Sequence, residues 1–182
     1  MQPKMAFARI DQAELRVCQL LNRSSGLTSV RALFRVVSWL GDGWIWYALI
    51  ACIPWVYPDG GWLAAAHMTA SGAVGLLLYK LIKPHAVRER PYITYSVITC
   101  ASAPLDRYSF PSGHTLHAVS FTIVVARYFP EWAALLVAFT VLIALSRVVL
   151  GLHYPTDVAA GAVLGGTVGF TSLWVAALLA TA

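Results

Sequence analysis

Three short polar segments interrupt an otherwise apolar chain, and their residue types suit phosphoryl transfer. Lys83 is followed seven positions later by Arg90-Pro91. Pro111-Ser112-Gly113-His114 comes next, and Ser146-Arg147 is followed by His153 and Asp157. Together they offer three fixed cations, two histidines and a carboxylate, each beside a hydrophobic stretch. Ionisable groups at membrane level are expensive to keep and by default mark function. Cations can hold phosphate oxygens, a histidine can attack phosphorus, and a carboxylate can orient it.

Each segment has its own logic. Ser112 is a favoured helix N-cap, and the first backbone N–H groups of the helix that follows form an anion site. Gly113 lets a phosphate approach that backbone closely. An ordinary capped helix start reads the same way, so this segment gains meaning from the other two. His153 and Asp157 lie four positions apart across Pro155, which breaks any helix between them. Asp157 can accept the Nδ1–H of His153 and leave Nε2 free to attack. Lys83, Arg90 and Arg147 are the candidate phosphate clamp, Arg binding bidentately and Lys as a point charge.

Other polar residues admit blander readings. Basic side chains at helix ends snorkel to lipid headgroups, which suits Lys80 and Arg127 and extends to Arg88 and Arg107. It suits Arg147 poorly, because the apolar run around Arg147 continues to Leu150. His117 is one helical turn past His114 and could support it from behind. Asp42, near the catalytic end of the first apolar run, is a candidate partner for a basic group of the site. His85 sits in the basic loop beside the headgroups, and His67 reads as packed.

The elements that must position these residues are membrane helices. Of 182 residues, 59% are hydrophobic and 12% charged, against about 25% charged in a soluble domain. A span needs about 20 mainly apolar residues. Five candidates appear, near 36–57, 62–82, 113–129, 132–150 and 157–181. Residues 1–32 form an amphipathic N-terminal segment whose stripe of Leu15, Cys18 and Leu21 suits a helix at the membrane surface. No cleavable signal peptide is evident. Residues 83–112 make a long polar loop, with Pro84, Pro91, Pro104 and Pro111, that has room for two short helices. Gly161, Gly165, Gly166 and Gly169 give the last span a small face for close packing. The expectation is an all-α, polytopic bundle of about five transmembrane helices in a single domain, residues 1–182. The net charge of +5 is split between two regions, which disfavours nucleic acid as a partner. Cys18, Cys52 and Cys100 suggest neither a disulfide framework nor a zinc site. Alternation of the spans brings the three polar segments to one membrane face.

At these residues the chain resembles the type 2 phosphatidic acid phosphatase superfamily, which includes membrane lipid phosphatases, bacterial acid phosphatases and vanadium haloperoxidases. Its signature is Lys-x6-Arg-Pro, Pro-Ser-Gly-His, and Ser-Arg-x5-His-x3-Asp, and every position has its match between Lys83 and Asp157. The resemblance implies that His153 attacks phosphorus, Asp157 orients it, and His114 protonates the leaving oxygen. Lys83, Arg90 and Arg147, with Ser112 and the Gly113 N–H, would hold the phosphate. It implies no metal and no cofactor, a lipid phosphate as substrate, and the bilayer of a bacterial inner membrane as the setting.

Membrane members of the family have six spans, whereas this chain has five candidates. That puts the N-terminal segment on the catalytic side. Residues 1–36 carry six basic and two acidic residues, whereas the opposite face carries Asp59, Arg127 and Glu131. The positive-inside rule then places the active site toward the cytoplasm. Phosphatidate, phosphatidylglycerol phosphate and polyprenyl phosphates or diphosphates all fit as substrates. A vanadate-dependent peroxidase fits poorly, since those members are soluble and larger. An inactive lipid-phosphate-binding protein is the remaining alternative, and the presence of His153 speaks against it.

Overall fold

Proline, glycine and short polar turns cut the apolar chain into helices. The computed structural model describes residues 3–104 and 106–181. Helix α1 is Pro3–Arg23, α2 Thr28–Trp39, α3 Ile45–Val56 and α4 Gly61–Ile82; after α5, Pro91–Thr94, come α6 Gly113–Tyr128, α7 Ala133–Val149 and α8 Pro155–Thr181. The only β feature among the described residues is one bridge, Glu89 to Tyr108, inside the polar loop. Of the two short helices that loop has room for, one forms among the described residues, α5.

Four stretches are long and apolar enough to cross a membrane: Thr28–Val56, Gly61–Ile82, Pro130–Val149 and Pro155–Leu179. The expected span at 113–129 is α6, and its 16 residues fall short. They cover about 24 Å at 1.5 Å per residue, against about 30 Å of hydrocarbon. The reason lies in its place. α6 is the central helix, packed by α4, α7 and α8, with Leu116, Ala118, Val124 and Val125 wholly buried. A helix wrapped by other helices does not need to match the lipid thickness.

The expected span at 36–57 differs too. It begins earlier, at Thr28, and is broken at Leu40–Trp44, where Asp42 and Gly43 leave helical geometry. Gly43 has φ 119° there, a conformation that favours glycine. The break turns Asp42 toward the bundle instead of continuing a smooth helix.

The N-terminal amphipathic helix forms as α1 and is not among the stretches able to span. Its inner stripe carries Asp11, Cys18 and Asn22, all buried. Asn22 donates through Nδ2 to Thr99 O (2.9 Å) and Val149 O (3.0 Å), and accepts from Thr99 N (2.8 Å). That amide ties α1 to the loop and to the end of α7. The bundle core lies deeper, around Trp46, Met68, Phe121, Leu136 and Ile143.

Of the four glycines of α8 expected to pack, Gly161, Gly165 and Gly169 do and Gly166 does not. A methyl group on Gly161 or Gly165 would run into the backbone carbonyl of Ser112 or Leu116, whereas Gly166 faces open space within 4 Å. Gly165→Ala should therefore destabilise the detergent-solubilised protein by about 1–3 kcal/mol, read as a lower Tm in thermal melts. Gly166→Ala should leave Tm unchanged or slightly raised. Equal effects at the two positions would contradict this account of the α6–α8 contact.

Candidate active site

Two helix starts and one loop build the site. Ser112 caps α6: its Oγ accepts the Thr115 N–H at 3.4 Å and lies 3.0 Å from Thr115 Oγ1. Gly113 and His114 follow in the first turn. The chain leaving α7 at Val149 turns through Leu150–Tyr154, and Pro155 starts α8 with Asp157 in its first turn. The Ser112 N–H donates to Asp157 O at 3.0 Å, which joins the two helix starts directly.

A cavity of about 540 Å³ opens at this junction. Of the residues expected in the site, Asp42, Arg90, Gly113, His114, His117, Arg147 and His153 line it. Three do not. Ser112 is buried and turned to its capping role, Asp157 is buried behind His153, and Lys83 reaches the wall through an ion pair with Asp106.

His153 is almost wholly buried. Its Nε2 lies 3.2 Å from Arg90 Nη1. A guanidinium only donates, so Nε2 accepts the Arg90 N–H with its lone pair and the ring proton sits on Nδ1. Asp157 Oδ2 is 3.6 Å from that Nδ1, just beyond hydrogen-bond reach, and accepts the Tyr154 N–H at 2.8 Å. Burial, reinforced by Arg147, Arg90 and Lys83, pushes the His153 imidazole well below its ordinary 6.5. The ring is thus held neutral, as a nucleophile requires.

His114 Nε2 faces Asp42 Oδ1 at 3.4 Å. The backbone break in the first span therefore delivers a carboxylate to the second histidine. His117, one turn on, stacks on Phe121 with ring centroids 5.7 Å apart. Arg147 donates to Ser38 Oγ and keeps Nε unpaired among the described residues. Arg90 also donates to Leu152 O (2.9 Å) and Asp106 O (2.8 Å), so backbone carbonyls aim its fork.

Residues the sequence did not flag complete the picture. Asp106 pairs with Lys83 (3.2 Å) and Arg90 (2.9 Å) and accepts from Tyr79 Oη (3.0 Å). Burial raises its carboxyl, but Lys83, Arg90 and Tyr79 outweigh that and hold it below the usual carboxylate range. Burial lowers the Lys83 ammonium, with Asp106 opposing. One of the two acids in a basic loop, the other being Glu89, was the available signal.

Arg88 is a correction. Read as snorkelling to headgroups, it is instead 1% exposed. It donates to Asp157 Oδ1 (2.5 Å), to Asp11 Oδ1 (2.8 and 2.6 Å) and to Glu14 Oε2 (2.7 Å). Arg107 does stay at the surface, paired with Glu89 at 2.7 Å. His85 is exposed and bonded to Leu81 O at 2.9 Å, and His67 meets Tyr128 Oη at 3.0 Å in α4, away from the site.

The chain has counterparts elsewhere. The PAP2 superfamily model matches residues 61–179. A decaprenylphosphoryl-5-phosphoribose phosphatase of Mycobacterium tuberculosis is 32% identical over 154 residues, covering 82% of this chain and 80% of its own. The undecaprenyl-diphosphatase BcrC of Bacillus subtilis is 32% identical over 127 residues, covering 68% of this chain and 64% of its own. In fold, the chain is similar to the crystal structure of Aquifex aeolicus LpxE, with a TM-score of 0.78 at 24% identity, over 88% of this chain and 94% of that one.

The burial of His153 has a measurable consequence. A histidine with a depressed pKa stays neutral as pH falls through 6.5 and takes up a proton only below it. In nitrogen NMR of histidine-labelled protein in detergent, the His153 signal, assigned by its loss in His153→Gln, should titrate below 6.5. A midpoint above 6.5 would contradict a buried ring facing three cations.

Proposed function

The chain belongs to the PAP2 superfamily, and from that premise we propose that it is an integral membrane phosphatase that hydrolyses lipid phosphate monoesters or diphosphates through a phosphohistidine. One observation carries this reading: the cavity joins a cationic end to an apolar trough. At one end stand Arg90, Arg147, His114 and His153; along the other run Trp46, Ile50, Met68, Leu76 and Phe121. The trough reaches the bundle surface between α3 and α4, where its wall residues Tyr47 and Leu76 are exposed. A molecule with a phosphate head and a hydrocarbon tail fits that form and can enter sideways from the bilayer. Relatives named for decaprenyl- and undecaprenyl-linked phosphates fit the same description.

The chemistry follows from the named atoms. Arg90, Arg147 and Lys83, with the Gly113 N–H, hold the phosphate oxygens and offset charge that grows in the transition state. His153 Nε2 attacks phosphorus, and a P–N bond forms as the P–O bond to the lipid breaks. His114 gives its proton to the departing oxygen. Asp157 faces the imidazolium formed on His153. Water then attacks the phosphohistidine, His114 takes a proton from it, the P–N bond breaks, and phosphate leaves. Asp42 positions the His114 ring in both steps, and His117 packs behind it. Asp106 yields the clamp to the substrate, since its carboxylate and a phosphate seek the same cations. Apart from substrate and water, each of these steps uses residues of the chain.

The distribution of charge supports one side of the membrane. α1 packs against the catalytic end through Asp11 and Glu14, while Arg9, Arg16 and Arg23 stay exposed. With Arg31 and Arg35 they outweigh Asp59, Arg127 and Glu131 at the other end. A cytoplasmic active site is the orientation this bias favours.

Two experiments test these readings. On a panel of phosphatidate, phosphatidylglycerol phosphate and undecaprenyl diphosphate in detergent, His153→Ala should release phosphate at below about 1% of the wild-type rate. Asp157→Asn should be milder, activity should survive EDTA, and vanadate should inhibit. Retained activity in His153→Ala, or loss in EDTA restored by magnesium, would overturn the mechanism. The second experiment uses intact cells expressing a variant without its native cysteines. Ala103, beside Pro104, and Asp59 are both exposed. Ala103→Cys should resist a membrane-impermeant thiol reagent and Asp59→Cys should react. The reverse pattern would place the active site outside.

A further inference from the structure

Arg88 has no place in the phosphate clamp, yet it is among the most buried large side chains of the molecule. Its guanidinium faces three carboxylates. Nη1 meets Asp157 Oδ1 at 2.5 Å and Thr156 Oγ1 at 2.7 Å. Nε and Nη2 both reach Asp11 Oδ1, and Nη2 also reaches Glu14 Oε2 at 2.7 Å. The Tyr154 ring lies 3.9 Å beneath the guanidinium carbon, and the Phe7 ring lies 5.0 Å away. Its five N–H donors make five contacts at once, to three carboxylates and Thr156, which a lysine ammonium with three donors cannot match.

Two of those carboxylates come from α1. Glu14 does more than pair with Arg88. Its Oε1 accepts the Thr156 N–H at 2.6 Å and its Oε2 accepts Thr156 Oγ1–H at 2.7 Å. Thr156 is in the first turn of α8, so Glu14 caps from another helix the turn that carries Asp157. The contacts of Asp11 and Glu14 thus converge on one carboxylate, the one facing His153 Nδ1. Asp157 is wholly buried. Without Arg88 its charge would lie uncompensated in an apolar place, where a carboxyl takes up a proton and no longer faces His153 Nδ1 as a negative charge.

We infer that Arg88 is a positioning residue for the His153–Asp157 pair, held by Asp11 and Glu14, so that α1 is a working part of the active site. The inference rests on His153 being the nucleophile. Arg88 acts through Asp157 by keeping it ionised and aimed at Nδ1. α1 acts through Arg88 and through the cap on α8. The family signature at Lys83, Arg90 and Asp157 then needs a partner outside it, and the N-terminal helix provides that partner.

The test is a double-mutant cycle on the full chain in detergent, with phosphatidate, phosphatidylglycerol phosphate and undecaprenyl diphosphate as probes. Arg88→Lys should lower kcat by about tenfold or more, with KM within about twofold. In the Asp157→Asn background the same substitution should lower kcat by less than about threefold, because its route through Asp157 is already lost. Asp11→Asn combined with Glu14→Gln leaves Arg88 in place and should lower kcat by about tenfold at unchanged KM. The inference is overturned if Arg88→Lys keeps wild-type kcat, or if its full loss is repeated on Asp157→Asn. A wild-type kcat in the α1 double variant overturns the part assigned to that helix. His153→Ala, measured alongside, separates the two readings: if it stays active the nucleophile is wrong, and if it alone is inactive only the role of Arg88 fails.

Discussion

The buried charges of this bundle, Arg147 apart, each meet an opposite charge, and the candidate active site is arranged around those pairs. Asp157 is wholly buried, and Arg88 lies against it. Arg88 in turn meets Asp11 and Glu14, Lys83 and Arg90 meet Asp106, and His114 meets Asp42. Removing one member of a buried pair costs about 3–5 kcal/mol, since the other is left uncompensated. The network therefore fixes where the loop 83–112, the start of α8 and helix α1 can sit. Those elements in turn fix His153.

The pairs differ in what they allow. Arg88 has all its donors engaged by the protein, so it serves as scaffold. The cations at the cavity hold their places more loosely. Arg147 keeps a donor unpaired among the described residues, and the partner shared by Lys83 and Arg90, Asp106, is itself about a third exposed (37%). Under the proposed function, a phosphate entering the cavity would take over those cations without disturbing Arg88. The same separation appears in the apolar half: Phe121 and Trp46 belong both to the bundle core and to the trough wall. The trough is thus a gap in a packed core rather than a soft surface groove.

Much of this was legible in the sequence, for physical reasons. Motif spacing and alternation of apolar runs were enough to bring Arg90, His114, Arg147 and His153 to one place, because helix ends are fixed by proline and by capping serine. The small face of α8 was legible because close approach needs glycine. What escaped depended on depth and on distant partners. α6 reads as a span by composition, yet its short length makes sense only once other helices surround it. Arg88 lies in a basic loop and looks like a headgroup contact, while its partner Asp11 is 77 positions away. The signal for that pairing was present, since Asp11 and Asn22 share a stripe with Leu15 and Cys18, but a polar residue on an apolar stripe does not name its partner. The break at Leu40–Trp44 was hidden for a similar reason: Asp42 between two glycines reads equally as a turn or as a helix fault.

The central claim is that His153, backed by Asp157 and Arg88, forms a covalent bond to phosphorus. The stereochemical course at phosphorus tests it most directly. With a phosphatidate analogue in which sulfur replaces one phosphate oxygen and two oxygen isotopes make phosphorus chiral, hydrolysed in water of the third isotope to give chiral thiophosphate, two successive in-line displacements give overall retention. Retention is the result this account predicts. Inversion would mean a single attack by water, and would contradict a nucleophilic His153.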